Sequence, residues 1–351
     1  MNNKLSVINN KKEKQNMDFG MLITILILLC AGIVMVSSAS SYYSLSTYSD
    51  SNYLLVKQLM LAIAGVIVML VISKIDYKIY RRWSYIGYGI SLILLIAVLV
   101  PGIGQESNGA TRWLGFGTTF RFQPSEIMKI MLVMATATYL SLNYKKLSTI
   151  KGYIVPLLFL GLVVTVMFLQ KHMSGTLVMI VASFSIILVS GIKIKAKYVA
   201  AVLIIGVIGV TTFIVAEPFR VKRILAFTNP EEDIKGDNWQ AAQSLYAIGS
   251  GGIFGRGLGQ SRQKYLWLPE AQNDFIFSVL GEELGLVGTV SVLGLFMFFI
   301  YRGYKIAIGC KDMYGSLIAT GITSVFALQI IVNIAVVTCT MPVTRYAFAI
   351  F

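Results

Sequence analysis

The feature that most constrains this chain is a series of nine long apolar runs. A helix needs about 20 mostly apolar residues to cross the hydrocarbon core of a bilayer. Runs of that kind occur at Phe19–Ala39, Leu54–Ser73, Trp83–Val100, Pro124–Leu142, Tyr153–Leu169, Gly175–Ser190, Tyr198–Ala216, Phe275–Tyr301 and Gly315–Val337. They predict an all-α polytopic membrane protein with nine transmembrane helices. Composition agrees: 13% of the 351 residues are charged, about half the share of a soluble domain. A water-soluble enzyme, a disordered chain and a disulfide-stapled secreted module are excluded. Cys30, Cys310 and Cys339 lie far apart and suggest neither a disulfide framework nor a zinc site. The single histidine, His172, rules out a His-clustered metal centre. The first run is too long for a cleaved leader, and no small-residue cleavage site is followed by a soluble mature chain.

The net charge of +14 would suit a nucleic-acid binder, but its distribution points to a membrane. With the N-terminus in the cytoplasm, the inner segments carry Lys4, Lys11, Lys12 and Lys14; Lys74, Lys78, Arg81 and Arg82; Lys145, Lys146 and Lys151; Lys193, Lys195 and Lys197; and Arg302, Lys305 and Lys311. That is 17 of 30 basic residues, against none in the first outer loop, Ser40–Tyr53. The positive-inside rule sets the N-terminus inside. The basic balance thus serves a membrane surface, with no nucleic acid as partner. The expected layout is one membrane domain over residues 1–351. It has a cytoplasmic tail at 1–18 and a large extracytoplasmic loop at 217–274, between helices seven and eight.

Two outer segments exceed plain connectors, and long loops in compact proteins are usually functional. The first, Pro101–Gln123, reads PGIGQESNGATRWLGFGTTFRFQ. The second, Glu217–Asp274, mixes acidic and basic residues and includes a helix-like stretch, Asn238–Ile248, with Ala241, Leu245 and Ile248 on one face. The GSGGIFGRGLG that follows fits neither a dinucleotide fingerprint nor a phosphate-binding loop.

Charge within the bilayer is costly and hints at function. Glu126 and Lys129 stand at i, i+3 in the fourth run and can pair. The alternative is a pair that snorkels to the interface. His172 reads as a polar residue at an outer turn. Asp274 ends WLPEAQND and precedes the apolar FIFSVL, where loop meets bilayer. Partial desolvation there would raise a carboxyl pKa toward the range a general base needs. Asp is also a favoured N-cap, and on residue chemistry alone the cap comes first. Glu270 is either a second carboxylate or a solvated charge. Glu282 and Glu283 fall inside the eighth run, where pairing with a loop or span residue is expected.

These segments resemble the FtsW/RodA/SpoVE (SEDS) family, most nearly its division and sporulation branch. The matching stretches are NGATRWL and FQPSEIMK (Asn108–Leu114, Phe122–Lys129), SGT (Ser174–Thr176), QSLYAIGSGGIFGRGLGQS (Gln243–Ser261), YLWLPEAQNDFIFSVLGEELGLVG (Tyr265–Gly288) and NIAVVTCTMPVT (Asn333–Thr344), in family order. The resemblance implies a peptidoglycan glycosyltransferase that polymerises lipid II on the outer face of the cytoplasmic membrane. It implies a class B penicillin-binding transpeptidase as partner. The family's essential aspartate matches Asp274, and its membrane-edge pair matches Glu126 and Lys129, which reverses the order of the two readings of Asp274. The departing undecaprenyl pyrophosphate needs positive charge. The outer candidates are Arg112, Arg121, Arg220, Arg223, Arg256, Arg262 and Lys264. A divalent cation, Mg or Mn, is an alternative source, though no ligand cluster marks one.

The family continues past MPVT with a segment like GMPLPFISYGG and a tenth span, whereas this sequence reads Arg345–Phe351. One codon choice for RYAFAIF, read one base later, gives Gly-Met-Pro-Leu-Pro-Phe, so the tail is expected to be a truncated or frame-shifted copy of that motif. Two other functions compete with the polymerase: a lipid II flippase and a non-catalytic division scaffold. Transporters put their polar sites near the midplane; here the charges crowd the outer side, which favours surface chemistry.

Overall fold

The computed structural model describes residues 17–107, 110–116, 120–191 and 239–340. The predicted seventh span, the loop basics Arg220, Lys222 and Arg223, and the tail from Arg345 lie outside the described residues.

Nine α-helices and a small sheet occur among them. The helices are α1 (Phe19–Tyr48), α2 (Tyr53–Ser73), α3 (Lys78–Ala97), α4 (Pro124–Leu142), α5 (Ile154–Leu169), α6 (Met173–Val189), α7 (Trp239–Gly251), α8 (Ile276–Gly309) and α9 (Met313–Val337). Five of them (α1, α2, α4, α8 and α9) are long and apolar enough to cross a membrane, and α5 and α6 are shorter apolar helices. The chain is a multi-pass membrane protein.

Local chemistry sets the helix ends. Asp18 caps α1 by accepting the Met21 N–H at 2.9 Å. The same carboxylate pairs with Arg302 at the far end of α8, receiving Nε at 3.1 Å. The Arg302 hydrogen bond holds the Asp18 carboxyl below the usual carboxylate range. Pro124 opens α4 at a position where its missing N–H costs nothing. Asp312 caps α9 through the Gly315 N–H at 3.3 Å.

Two apolar clusters form the core. One joins α1, α4, α6, α8 and α9 around Met35, Ala137, Ile186, Phe275 and Leu317. The other joins α3, α4, α5 and α6 around Leu95, Met128, Val163 and Met179. Helix α2 packs chiefly on α1, and Ala62 is its one buried residue.

The helical expectation gains one addition in Pro101–Gln123. Strands β1 (Gly104–Ser107), β2 (Ala110–Phe116) and β3 (Phe120–Phe122) make an antiparallel sheet in the order β1-β2-β3. Leu114 pairs with both Gly104 and Phe122. Along β2, Arg112 and Leu114 are buried while Thr111, Trp113 and Gly115 are less so, the period of two that a half-covered strand imposes. Helix α1 also runs further than its apolar stretch, to Tyr48, which shortens the expected first outer loop to a tight turn.

The eighth run is not one continuous helix. Gly285 sits at φ 66°, ψ −161° and breaks α8, in a region of backbone space that is essentially glycine's. A break frees two N–H and two C=O groups, and buried backbone groups must find partners. Residues 252–257 supply all four. Leu286 N donates to Gly252 O and Val287 N to Ile253 O, while Arg256 N and Gly257 N donate to the carbonyls of Glu282 and Glu283, at 2.9–3.1 Å. Glycine at 255 and 285 is what permits the approach: a Cβ on Gly285 would collide with Gly255 N, and one on Gly255 with Glu283 O.

Candidate active site

The predicted site residues gather at the end of the bundle that carries the sheet, in three groups.

The first surrounds His172. Helix α4 presents Lys129, 4% exposed, which pairs with Glu126 at 2.7 Å. Glu126 itself is more than half exposed, so only the lysine is desolvated. Strand β2 brings in buried Arg112, whose guanidinium donates to the Lys171 carbonyl. His172 caps α6, accepting the Gly175 N–H on Nδ1 at 3.3 Å. Its Nε2 lies 2.7 Å from the Gln123 side-chain amide. Burial, followed by the charges of Arg112 and Lys129, pushes the His172 pKa down to about 3. The imidazole is therefore neutral near pH 7. With Nδ1 accepting, Nε2 carries the proton, and the Gln123 amide oxygen is its fitting acceptor.

The second group is built on Glu282 and Glu283, 1% and 0% exposed, just before the break in α8. Glu282 accepts from Ser261 Oγ at 2.6 Å and the Arg262 N–H at 3.0 Å, with Arg256 Nη1 at 3.8 Å. Glu283 accepts from Ser38 Oγ of α1 at 2.6 Å, the Ser261 N–H at 3.2 Å and Lys264 Nζ at 3.2 Å. Lys264 also donates to Gly259 O at 2.6 Å. These carboxylates have the structural partners expected for them. Lys264, a candidate cation for the departing pyrophosphate, is committed to Glu283. Arg256 leans on Glu282 and on Ser250 O at 3.3 Å.

The third group is the turn before α8. Asp274 is half-buried. The N-cap of α8 is Phe275, with no side-chain cap bond, so Asp274 does not serve as the helix cap that residue chemistry alone favours. Asn333 of α9 donates its amide to the Asp274 carbonyl oxygen at 3.2 Å. Glu270 is exposed, in a left-handed conformation (φ 54°), and accepts from Asn273 Nδ2 at 2.7 Å. It steadies the turn that presents Asp274. A cavity of about 180 Å³ opens beside it, with Asn273 and Ile276 in its wall.

Arg121 and Arg262 are exposed. Among the described residues no group of three or more His, Cys, Asp or Glu side chains is gathered as a cation would require.

A family described as a cell cycle protein, FtsW/RodA/SpoVE, matches residues 19–350. This chain belongs to the FtsW/RodA/SpoVE family. Stage V sporulation protein E of Bacillus subtilis strain 168 is 40% identical over 338 residues, covering 95% of this chain and 90% of its own length. The probable peptidoglycan glycosyltransferase FtsW of Trichlorobacter lovleyi is 38% identical over 326 residues, covering 93% and 85%. Among solved structures, a chain from a peptidoglycan synthase complex that coordinates polymerization and crosslinking superposes with TM-score 0.78 at 25% identity, over 96% of this chain and 93% of that one. The Thermus thermophilus rod shape determining protein RodA superposes with TM-score 0.68 at 25% identity, over 96% and 90%.

Within this FtsW/RodA/SpoVE chain, three polar residues at the sheet end escape a reading by sequence. Ser38 looks like a small residue of an apolar span, yet it bridges α1 to Glu283. Asn333 stands out only as part of a motif. Lys57 of α2 passes as one of the scattered basics. The signal available for Lys57 is its place as the sole charge in the second run.

Proposed function

We propose that this chain is a peptidoglycan glycosyltransferase. It polymerises lipid II, an undecaprenyl-pyrophosphate-linked disaccharide peptide, into glycan strands at the outer face of the cytoplasmic membrane. The names of its relatives support the reaction class. The observation that carries the residue assignment is a carboxylate, Asp274, that is half-buried in the turn before α8, is not used as a helix cap, and has its peptide held by Asn333.

The N-terminus lies in the cytoplasm, as the basic clusters require, so the sheet end faces outward. The acceptor sugar hydroxyl attacks C1 of the donor sugar. Asp274 takes the hydroxyl proton as the new C–O bond forms. The bond from C1 to the pyrophosphate oxygen breaks, and undecaprenyl pyrophosphate leaves with that electron pair. Arg112, buried beside neutral His172, supplies fixed positive charge near the reacting sugars, where low dielectric strengthens it, and Lys129, paired with Glu126, lies in the same group. A class B penicillin-binding transpeptidase is the partner that crosslinks the product. The likeness to a chain of a peptidoglycan synthase complex supports that assignment. The strands serve division, elongation or sporulation.

The test is a purified full-length enzyme with its transpeptidase and lipid II, the glycan resolved by gel. Polymer from the wild type and none from Asp274→Asn is the expected result. Equal polymer from both removes Asp274 from the mechanism. Labelled lipid moving across vesicles without polymer would make the chain a transporter, and neither activity would leave a scaffold.

A further inference from the structure

Helix α8 opens irregularly. Ser278 N and Val279 N both donate to Phe275 O, at 2.9 and 3.3 Å, so the hydrogen-bond ladder starts just past Asp274. In a regular helix the Ser278 N–H would take the Asp274 carbonyl, four positions back. That carbonyl instead receives the side-chain amide of Asn333 from α9. The turn that presents the carboxylate is thus held by a neighbouring helix and not by the ladder of its own.

The Ser278 hydroxyl adds a second tie. A helical serine ordinarily returns its proton to a carbonyl on the preceding turn of its own helix. Ser278 Oγ lies 2.7 Å from Ser244 Oγ of α7. Ser244 Oγ in turn donates at 2.6 Å to the carbonyl of Val337, the last residue of α9. Ser244 and Ser278 are both 0% exposed, so no water takes part. A serine has one proton to give. Val337 O can only accept, so it takes the proton of Ser244, and Ser278 is the donor to Ser244. The chain runs one way, from Ser278 through Ser244 to Val337 O. It also satisfies a helix-end carbonyl, a group left without a partner inside its helix.

Both ties converge on α9. Asn333 and Val337 stand one turn apart on α9, and Asp274 and Ser278 stand one turn apart at the start of α8. One turn of α9 therefore holds one turn of α8 at two points, directly through Asn333 and by way of α7 through Ser244. The apolar seat of α7 is separate from this chain: Ile248, one turn beyond Ser244, lies over Gly281 and packs against the core.

We propose that Ser244 is a positioning residue for Asp274. Its hydroxyl is the joint by which α7, a helix of the large outer loop, keeps the first turn of α8 in register with α9 and so aims the carboxylate. Buried between the helices, Ser244 touches no substrate; it acts through Ser278. Without it, Ser278 loses its acceptor and the Val337 carbonyl loses its donor. The turn then has one tie in place of two, and a misaimed base costs turnover and not binding. The role rests on the reading of Asp274 as the general base and names what holds that base in place.

The experiment uses full-length protein with its transpeptidase and lipid II. Ser244→Ala lowers kcat about tenfold, as loss of a buried hydrogen bond with stranded partners implies, and leaves KM within about threefold. Ser278→Ala lowers kcat by a similar factor. The double variant falls no more than about threefold below the worse single, since both changes remove the same bond. Ile248→Ala loosens the apolar seat of α7 and lowers Tm, yet keeps kcat within about threefold of wild type. Unchanged kcat in Ser244→Ala overturns the proposal. So does a double variant in which the two single losses multiply, or an equal loss of kcat in Ile248→Ala; either makes these contacts ordinary packing. Amide exchange over residues 270–280, measured by mass spectrometry in an Asp274→Asn background, reads the joint without catalysis. Ser244→Ala speeds exchange there, and unchanged exchange overturns the proposal even where Asp274→Asn makes no polymer. Polymer from Asp274→Asn, with exchange still quickened by Ser244→Ala, overturns the base assignment and leaves the tie between Ser244 and the turn standing.

Discussion

Asn333 of α9 donates its side-chain amide to the backbone carbonyl of Asp274, at 3.2 Å and 59 positions away in sequence. This bond fixes the peptide that carries the carboxylate, not the carboxylate itself. Asn333 is 4% exposed, so little water is available to replace it.

Replacing Asn333 with Leu removes that donor and leaves the turn before α8 less defined. We expect kcat for lipid II to fall about tenfold, the worth of one buried hydrogen bond, with KM nearly unchanged. Steady-state polymerisation measures both. A rise in KM alone would place Asn333 with substrate contacts instead.

Glu283 and Lys264 form a buried pair, and removing one member strands the other. Glu283→Gln and Lys264→Met should each cost about 3–5 kcal/mol. The double variant should cost less than the sum, with a coupling of about 1 kcal/mol or more. Thermal unfolding in detergent, read as a double-mutant cycle, gives the coupling directly.

Gly285→Ala places a Cβ against Gly255 N at a positive φ. A loss of about 2–4 kcal/mol is expected, along with easier proteolysis within 252–257. Gly294→Ala, in the same helix but with open space around it, is the contrasting substitution and should leave stability level or raise it by about 1 kcal/mol. Melting curves of the two variants decide it.

His172 predicts a pH dependence. Its folded pKa of about 3 lies below the ordinary 6.5, so folding favours the neutral ring. The unfolded chain takes up a proton first as pH falls, and the contribution, complete above pH 6.5, is lost progressively between 6.5 and about 3. The slope approaches about 1.4 kcal/mol per pH unit. Tm measured at pH 7.5 and 5.5 should drop for the wild type, and His172→Asn should flatten that part of the drop.

The membrane fold is legible in the sequence because apolar run length is a global property that tertiary contacts rarely override. The break in α8 is not. Gly285 looks like any glycine in an apolar run, and only the approach of residues 252–257 from more than 25 positions upstream lets the backbone tolerate the break. The sheet is equally hidden. Ala110–Phe116 does alternate, but it is short and lies between glycine-rich stretches that read as loop. Helix α7 matches the expected helical stretch, and of its expected face Ala241 is buried and Ile248 packs against the core. Only Leu245 departs, being exposed, while Ser244 and Ala247 are buried beside Ala241. Of the candidate site, Asp274 and the Glu126–Lys129 pair stand out by motif and position. The partners of Lys264 and Arg256 do not, because a sequence shows charges without showing which are neutralised within the fold.

The strap at 252–257 has a mechanical meaning. Four backbone bonds splint α8 across Gly285, so its two pieces behave as one beam only while the strap is seated. Ile253 and Phe254, at the middle of the strap, are 60% and 82% exposed. A force applied there reaches both pieces, because the strap holds two carbonyls of the short piece that begins beside Asp274 and two N–H groups of the long piece that ends near Arg302.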